Sequence, residues 1–268
     1  MSNNAVLTLS LAWLTLSFLV TAKAAPLPVK EPGVIYLASL EWPPFTGQEL
    51  LDGGRTAVLV KRIFHQMGYQ VVIDFLPWSR AVKQTTGRAP QYLAYFPEYP
   101  LQHDEVKLSG CIGYSHVGLA EHTAAPLQIN SSADLQHYRL GVVQDYVNTT
   151  TIDQMIRDRR LNVETSLTDK QNLLRLAHQR LDAAVIDYDV MQHLLTTEDE
   201  LKPFKHQLNF NTAEYELKTL HLAVNINHPD ASLLTEFDRH LSQLALQSQV
   251  NPELPKQPLD LCQPGLKH

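Results

Sequence analysis

The sequence predicts an α/β protein made of two strand–helix runs in succession. Three observations carry this. Short apolar segments alternate with amphipathic helical ones from 34 to 82, the alternation restarts at 131, and proline–aromatic corners stand at the strand ends of the first run.

The first run opens on a strand at 34–38, followed by the corner Glu41, Trp42, Pro43, Pro44 and Phe45. Gly53 and Gly54 break the chain before a helix over 55–67, which Gly68 stops. Val58, Leu59, Ile63 and Met67 share one face of that helix, with Lys61, Arg62 and Gln66 opposite. A strand at 70–75 then runs into a second corner, Leu76, Pro77, Trp78, Ser79 and Arg80. A crossover of helix length makes these two strands parallel. Ligands in such sheets gather at the carboxyl ends of the strands, where both corners fall, so 35–82 reads as half of a small-molecule cleft. A short helix at 79–86 ends at Gly87, and Pro90 blocks its continuation. A third strand at 91–96 leads to the corner Pro97, Glu98, Tyr99 and Pro100, and a further strand covers 113–120.

The second run begins with a capped turn at 131–135 and a strand at 139–143. A helix at 151–159, a strand at 162–165, and a helix at 170–179 capped by Asp169 follow. A strand at 181–186 and a helix at 188–195 complete it. A returning strand at 217–225 precedes a last amphipathic helix at 229–248, with Leu233, Leu234, Phe237, Leu241 and Leu244 on one face. Pro252, Pro255, Pro258 and Pro264 space an extended tail.

The composition is that of a globular chain of one large domain or two small lobes: 268 residues, 44% hydrophobic and 19% charged. A net charge of -6 argues against a nucleic-acid partner, because phosphates select basic surfaces. Positions 5–20 form an apolar run shorter than the ~20 residues a membrane span needs. Ala22 and Ala24 flank Lys23 in a small-x-small pattern, so cleavage of a signal peptide after Ala24 is expected, with an uncleaved anchor as the alternative. Export permits a disulfide, and the chain has two cysteines, Cys111 and Cys262, which are either bridged or two free thiols.

None of the 12 histidines forms a four-residue-spaced pair, so no metal site is read, and no cofactor motif is found. No nucleophile elbow or phosphate loop occurs, although Glu41, Glu98 or Asp187 is able in principle to act as an acid or base.

The order of these motifs resembles the family 3 extracellular solute-binding proteins. The markers are Trp42 to Phe45 after the first strand, Gly53 and Gly54 before the first helix, and Gly68 and Tyr69 after it. Pro77, Trp78, Arg80 and Ala81 follow the second strand. Ile112 to Ser115, Asp134 and Leu135, Leu140 to Val143, and Arg180 to Asp187 complete the set, over about 34–248. The resemblance implies a two-lobed type II periplasmic-binding-protein fold, its lobes joined by two crossover strands and hinged on a ligand. Lobe one would be 25–118 plus 217–268, and lobe two 119–216. It further implies a periplasmic, monomeric protein that binds an amino-acid-like or other small organic ion for an ABC transporter membrane component, without catalysis. A catalytic derivative of the fold and a soluble sensor partner are the alternatives.

One departure stands out. The family's amino-acid binders carry a hydroxyl-rich segment and an Arg after the third strand, which clamps a carboxylate. Here Gln102 stands near that place, and Gln makes no bidentate ionic clamp, so an ordinary α-amino acid is not expected as ligand unless Arg80 supplies the clamp from the neighbouring corner. Arg80 sits at a helix start, where the dipole disfavours a cation, so it points to an anion or to a surface salt bridge. Trp42 and Trp78 offer flat faces for a ligand or for ordinary packing. Glu98 and Tyr99 stand at the third corner facing the same edge. Tyr146, Asn148 and Thr149 lie in a strand-to-helix segment whose N–H groups can hold an anion or only cap the helix. Asp187 ends a lobe-two strand, and the resemblance implies that it receives a ligand ammonium, with helix capping as the alternative.

Overall fold

The computed structural model describes residues 33–100 and 102–250, with side chains through 246. The expected signal peptide at 1–24, the leader, Cys262 and the proline-spaced tail lie outside the described residues.

The first run folds as β1 (Gly33–Ser39), α1 (Arg55–Gln66), β2 (Tyr69–Phe75), α2 (Trp78–Thr85), β3 (Ala94–Glu98) and β4 (Val106–Leu108). Then comes β5 (Gly113–His122). The second run supplies β6 (Arg139–Val143), α3 (Thr150–Arg157), β7 (Asn162–Ser166), α4 (Asp169–Ala177), β8 (Ala183–Asp187) and α5 (Tyr188–Thr197). The chain returns through β9 (Leu208–Asn225) and α6 (Leu233–Val250).

The strands follow the order β2-β1-β3-β9-β5-β8-β6-β7, with β4 also paired to β9. Two parallel trios stand at its ends, β1 with β2 and β3, and β6 with β7 and β8. Each trio is bordered by an antiparallel strand, β9 against β3 and β5 against β8. The two lobes therefore share one strand order. Between them β5 and β9 run antiparallel from Gly113↔Leu220 to His122↔Leu208, with a register shift between Val117 and Leu119. Gly118 sits in that shift because a Cβ there would lie 2.5 Å from the Phe210 ring.

Apolar burial fixes the lobes. In the first, Leu59, Val60, Ile63 and Phe64 of α1 pack on the sheet, and the Phe64 and Phe237 rings lie 5.2 Å apart, docking α6. In the second, Leu135, Leu140, Val142, Ile152 and Met155 form a buried cluster.

Four local expectations are corrected. Val58 is 42% exposed, because α1 turns Thr56, Ala57, Leu59, Val60, Ile63 and Phe64 inward. The third strand starts at Ala94 instead of 91. The returning strand starts at Leu208, well before 217, because its first half, from Asn209 to Glu216, is mostly polar and gives no apolar run. The cap of α4 is Thr168, whose hydroxyl accepts the Gln171 N–H at 3.3 Å, which leaves Asp169 as the first helical residue. Cys111, just before β5, is disulfide-bonded.

Candidate ligand-binding site

The first lobe builds its edge from proline corners. The carbonyls of Pro44 and Phe45 accept the N–H groups of Arg55 and Thr56 at 3.2 and 2.9 Å, so the first corner caps α1 in place of a side chain. Gly54 has φ 98°, and a Cβ there would lie 2.6 Å from the Phe45 carbonyl oxygen, so only glycine lets helix and corner meet. Trp42 stacks on Phe45 at 4.3 Å and meets Tyr99 edge-on at 6.2 Å. It is only 6% exposed. Trp78 is half-buried as the first residue of α2 and stands edge-on to Tyr95 at 5.4 Å. Arg80, two residues on, is exposed and, among the described residues, has no ion pair and lines none of the cavities below.

The second lobe builds its edge from short polar side chains at helix starts. Thr149 caps α3, accepting the Ile152 N–H and donating to Glu214 at 2.7 Å. Asn148 donates to Asp153 from both its backbone and its side chain. Glu216 accepts from the Thr150 N–H at 2.6 Å. The α3 N-terminus thus receives carboxylates of its own chain, where the helix dipole favours them. Asp187 is 3% exposed, caps α5 through the Val190 N–H at 3.0 Å, and accepts from Ser115 and from the His116 N–H, both at 2.7 Å.

A hydrogen-bond chain links the carboxyl ends of β3 and β8 through β5. Ser115 donates to Asp187, so the Tyr99 hydroxyl, 2.6 Å from Ser115 Oγ, donates to Ser115. Burial, then the charges of Asp187, Asp169 and Glu98, push the Tyr99 hydroxyl far up. Glu98 is 5% exposed, accepts the Tyr99 N–H at 2.7 Å, and is pushed by burial to about 7. Asp169 is 7% exposed, and burial followed by the Asp187 charge pushes it to about 7. Tyr146 is raised well above its ordinary value by burial and then by Asp169. Lys218 lies 5.5 Å over the Tyr99 ring, but its ammonium is paired with Glu216 at 2.9 Å.

A cavity of about 670 Å³ opens between the lobes. Leu40, Leu76, Trp78 and Ser79 line it from the first lobe, and Gln144, Tyr146, Asp169 and Val190 from the second. Behind it, Trp42, Trp78, Glu98, Tyr99 and Tyr146 enclose a further cavity of about 30 Å³. Two side-chain contacts also join the lobes. Ser79 donates to Asp145 at 2.5 Å, and Arg55, 4.0 Å over the Phe45 ring, pairs with Asp189.

The structure therefore gathers Trp42, Trp78, Glu98, Tyr99 and Tyr146 around the cavities, and engages Asn148, Thr149 and Asp187 in helix capping. Asp169 was legible only as a cap. Thr168 followed three residues later by Gln171 is a capping signature, and reading it would have freed Asp169 for the cleft. The Tyr99–Ser115–Asp187 chain carries no sequence signal, because its members are far apart.

No family model matches the chain, and no curated protein matches it. Among solved structures, it is similar to a histidine kinase sensor domain with similarity to periplasmic binding proteins, at 16% identity and TM-score 0.67, over 82% of this chain and 93% of that chain. It is also similar to the substrate-binding protein of an amino acid ABC transporter, at 16% identity and TM-score 0.65, over 84% and 99%. An arginine transport-system periplasmic binding protein from Legionella pneumophila matches at 12% identity and TM-score 0.61, over 82% and 95%. The fold is the two-lobed, type II periplasmic-binding-protein fold. Among the described residues no helix is long and apolar enough to cross a membrane.

Proposed function

We propose that this chain is a periplasmic binding protein that captures a small polar solute between its lobes and presents the closed form to the membrane component of an ABC importer. The observation that carries the reading is the interlobe cavity, lined from both lobes, with Ser79–Asp145 at its edge and Arg55–Asp189 as a second contact between the lobes. A guest that touches both walls favours the closed state over the open one, and that differential drives closure. In this reading the lobes are 25–118 with 217–268 and 119–216, hinged on β5 and β9. The signal peptide leaves after Ala24, Cys111 pairs with Cys262, and the protein acts as a monomer without catalysis.

The test is a thermal-shift screen of the exported chain against amino acids, organic acids, amines and sugars, with mass spectrometry of the recovered guest. A compound that raises Tm and returns unchanged supports capture. A compound that is consumed, or a chain whose scattering profile never responds to any guest, overturns it. The likeness to a kinase sensor domain favours one second reading, a soluble partner of a membrane sensor. Crosslinking of the liganded protein to a transporter component or to a sensor kinase separates the two.

A further inference from the structure

The charges that face the cleft are unbalanced. Its lining holds three carboxylates, Glu41, Asp169 and Glu198, against one ammonium, Lys170. Lys170 is spent on its own neighbours, pairing with Glu198 at 2.7 Å and with Glu200. Arg55 is taken by Asp189, and Lys218 by Glu216. Arg80 lies outside the lining. Hence no unpaired cation among the described residues faces the cavity to receive a guest carboxylate. Asp169 is the converse case. It is 93% buried, lines the cavity, and among the described residues has no cation and no other side chain as partner, only its own backbone N–H. A carboxylate buried in this way is costly unless something pairs with it. Around it the lining is flat and apolar, from Leu40, Leu76, Trp78, Tyr146 and Val190, surfaces suited to a hydrocarbon or aryl stem and to the face of a cation.

Building on the capture reading, we infer that the guest is an organic amine or guanidine that carries no carboxylate, its cation held by Asp169 and its stem laid against Trp78 and Tyr146. A zwitterionic amino acid has the same cation, but it would bring its carboxylate into a cleft with no positive partner and excess negative charge.

The experiment compares pairs that differ only by that carboxylate: agmatine with arginine, cadaverine with lysine, and tyramine with tyrosine. Glucose and succinate serve as neutral and anionic controls. Calorimetry on the exported chain is expected to show at least one amine binding tenfold or more tightly than its amino acid. Asp169→Asn is expected to abolish that binding while circular dichroism and Tm show a folded protein. Should Asp169→Asn fail to fold, the paired comparison on the natural chain decides alone. An amino acid that binds as tightly as its amine overturns the inference and leaves capture standing, and so does binding confined to glucose or succinate. If no compound binds and native mass spectrometry finds no co-purified small molecule, the inference and the capture reading fall together.

Discussion

The two lobes use one strand order, and their cleft edges can be compared position by position. The first residue of the helix after the second strand is Trp78 in one lobe and Asp169 in the other. The last residue of the third strand is Glu98 in one and Asp187 in the other, both carboxylates and both buried. The lobes differ in what surrounds these places. The first lobe packs Trp42, Phe45 and Tyr99 against each other, so its edge is a wall of rings. The second satisfies Asp187, Asn148 and Thr149 within helix caps and leaves Asp169 unmatched. Topology sets where a side chain meets the cleft, and the local caps decide which one keeps free valence. A helix start suits Asp169 in particular, because the dipole favours an anion there.

The largest effect expected separates the two rings of the first lobe. Trp42→Ala removes a buried, stacked side chain and should cost about 3–5 kcal/mol, read by denaturant unfolding. Trp42 losing affinity without stability would break the contrast with Trp78. Next comes pH. Glu98 and Asp169 ionise near 4 in an unfolded chain and at about 7 here, so the folded state holds more protons between those values. Their contribution to stability is therefore fullest near pH 4, falls as pH rises through about 7, and is level above it. Affinity for an amine runs the other way, because the guest needs Asp169 ionised. It should tighten on the order of tenfold between pH 5.5 and 7.5 by calorimetry. A flat profile would remove Asp169 from the contact.

Trp78→Ala should weaken the guest by roughly tenfold, about 1.4 kcal/mol, with a smaller loss of stability than Trp42→Ala, since Trp78 is only half-buried. The smallest effect belongs to the surface pair between the lobes. The Arg55–Asp189 pair is part-exposed, so Arg55→Ala should change stability by less than about 1 kcal/mol. It should nonetheless enlarge the unliganded radius of gyration in small-angle scattering. An unchanged profile would mean the pair does not bridge the lobes in solution.

Apart from β4, the order of strands and helices, the glycine break before α1, the corners at Trp42 and Trp78, and the restart of the pattern at 131 were all readable along the chain. Alternation, helical periodicity and the glycine and proline breaks depend on near neighbours, and near neighbours are what a sequence displays. Val58 shows the limit even there, since the apolar face of α1 read through Val58, Leu59, Ile63 and Met67, and packing against α6 and the sheet buried Leu59, Val60, Ile63 and Phe64 instead. Tertiary structure alone decided that Arg55 meets Asp189 across 134 residues, that Tyr99 reaches Asp187 through Ser115, and that Asp169 is buried without a partner. A charge's cost and its pairing are set by whatever distant segments bring beside it, and that is fixed only by the tertiary fold.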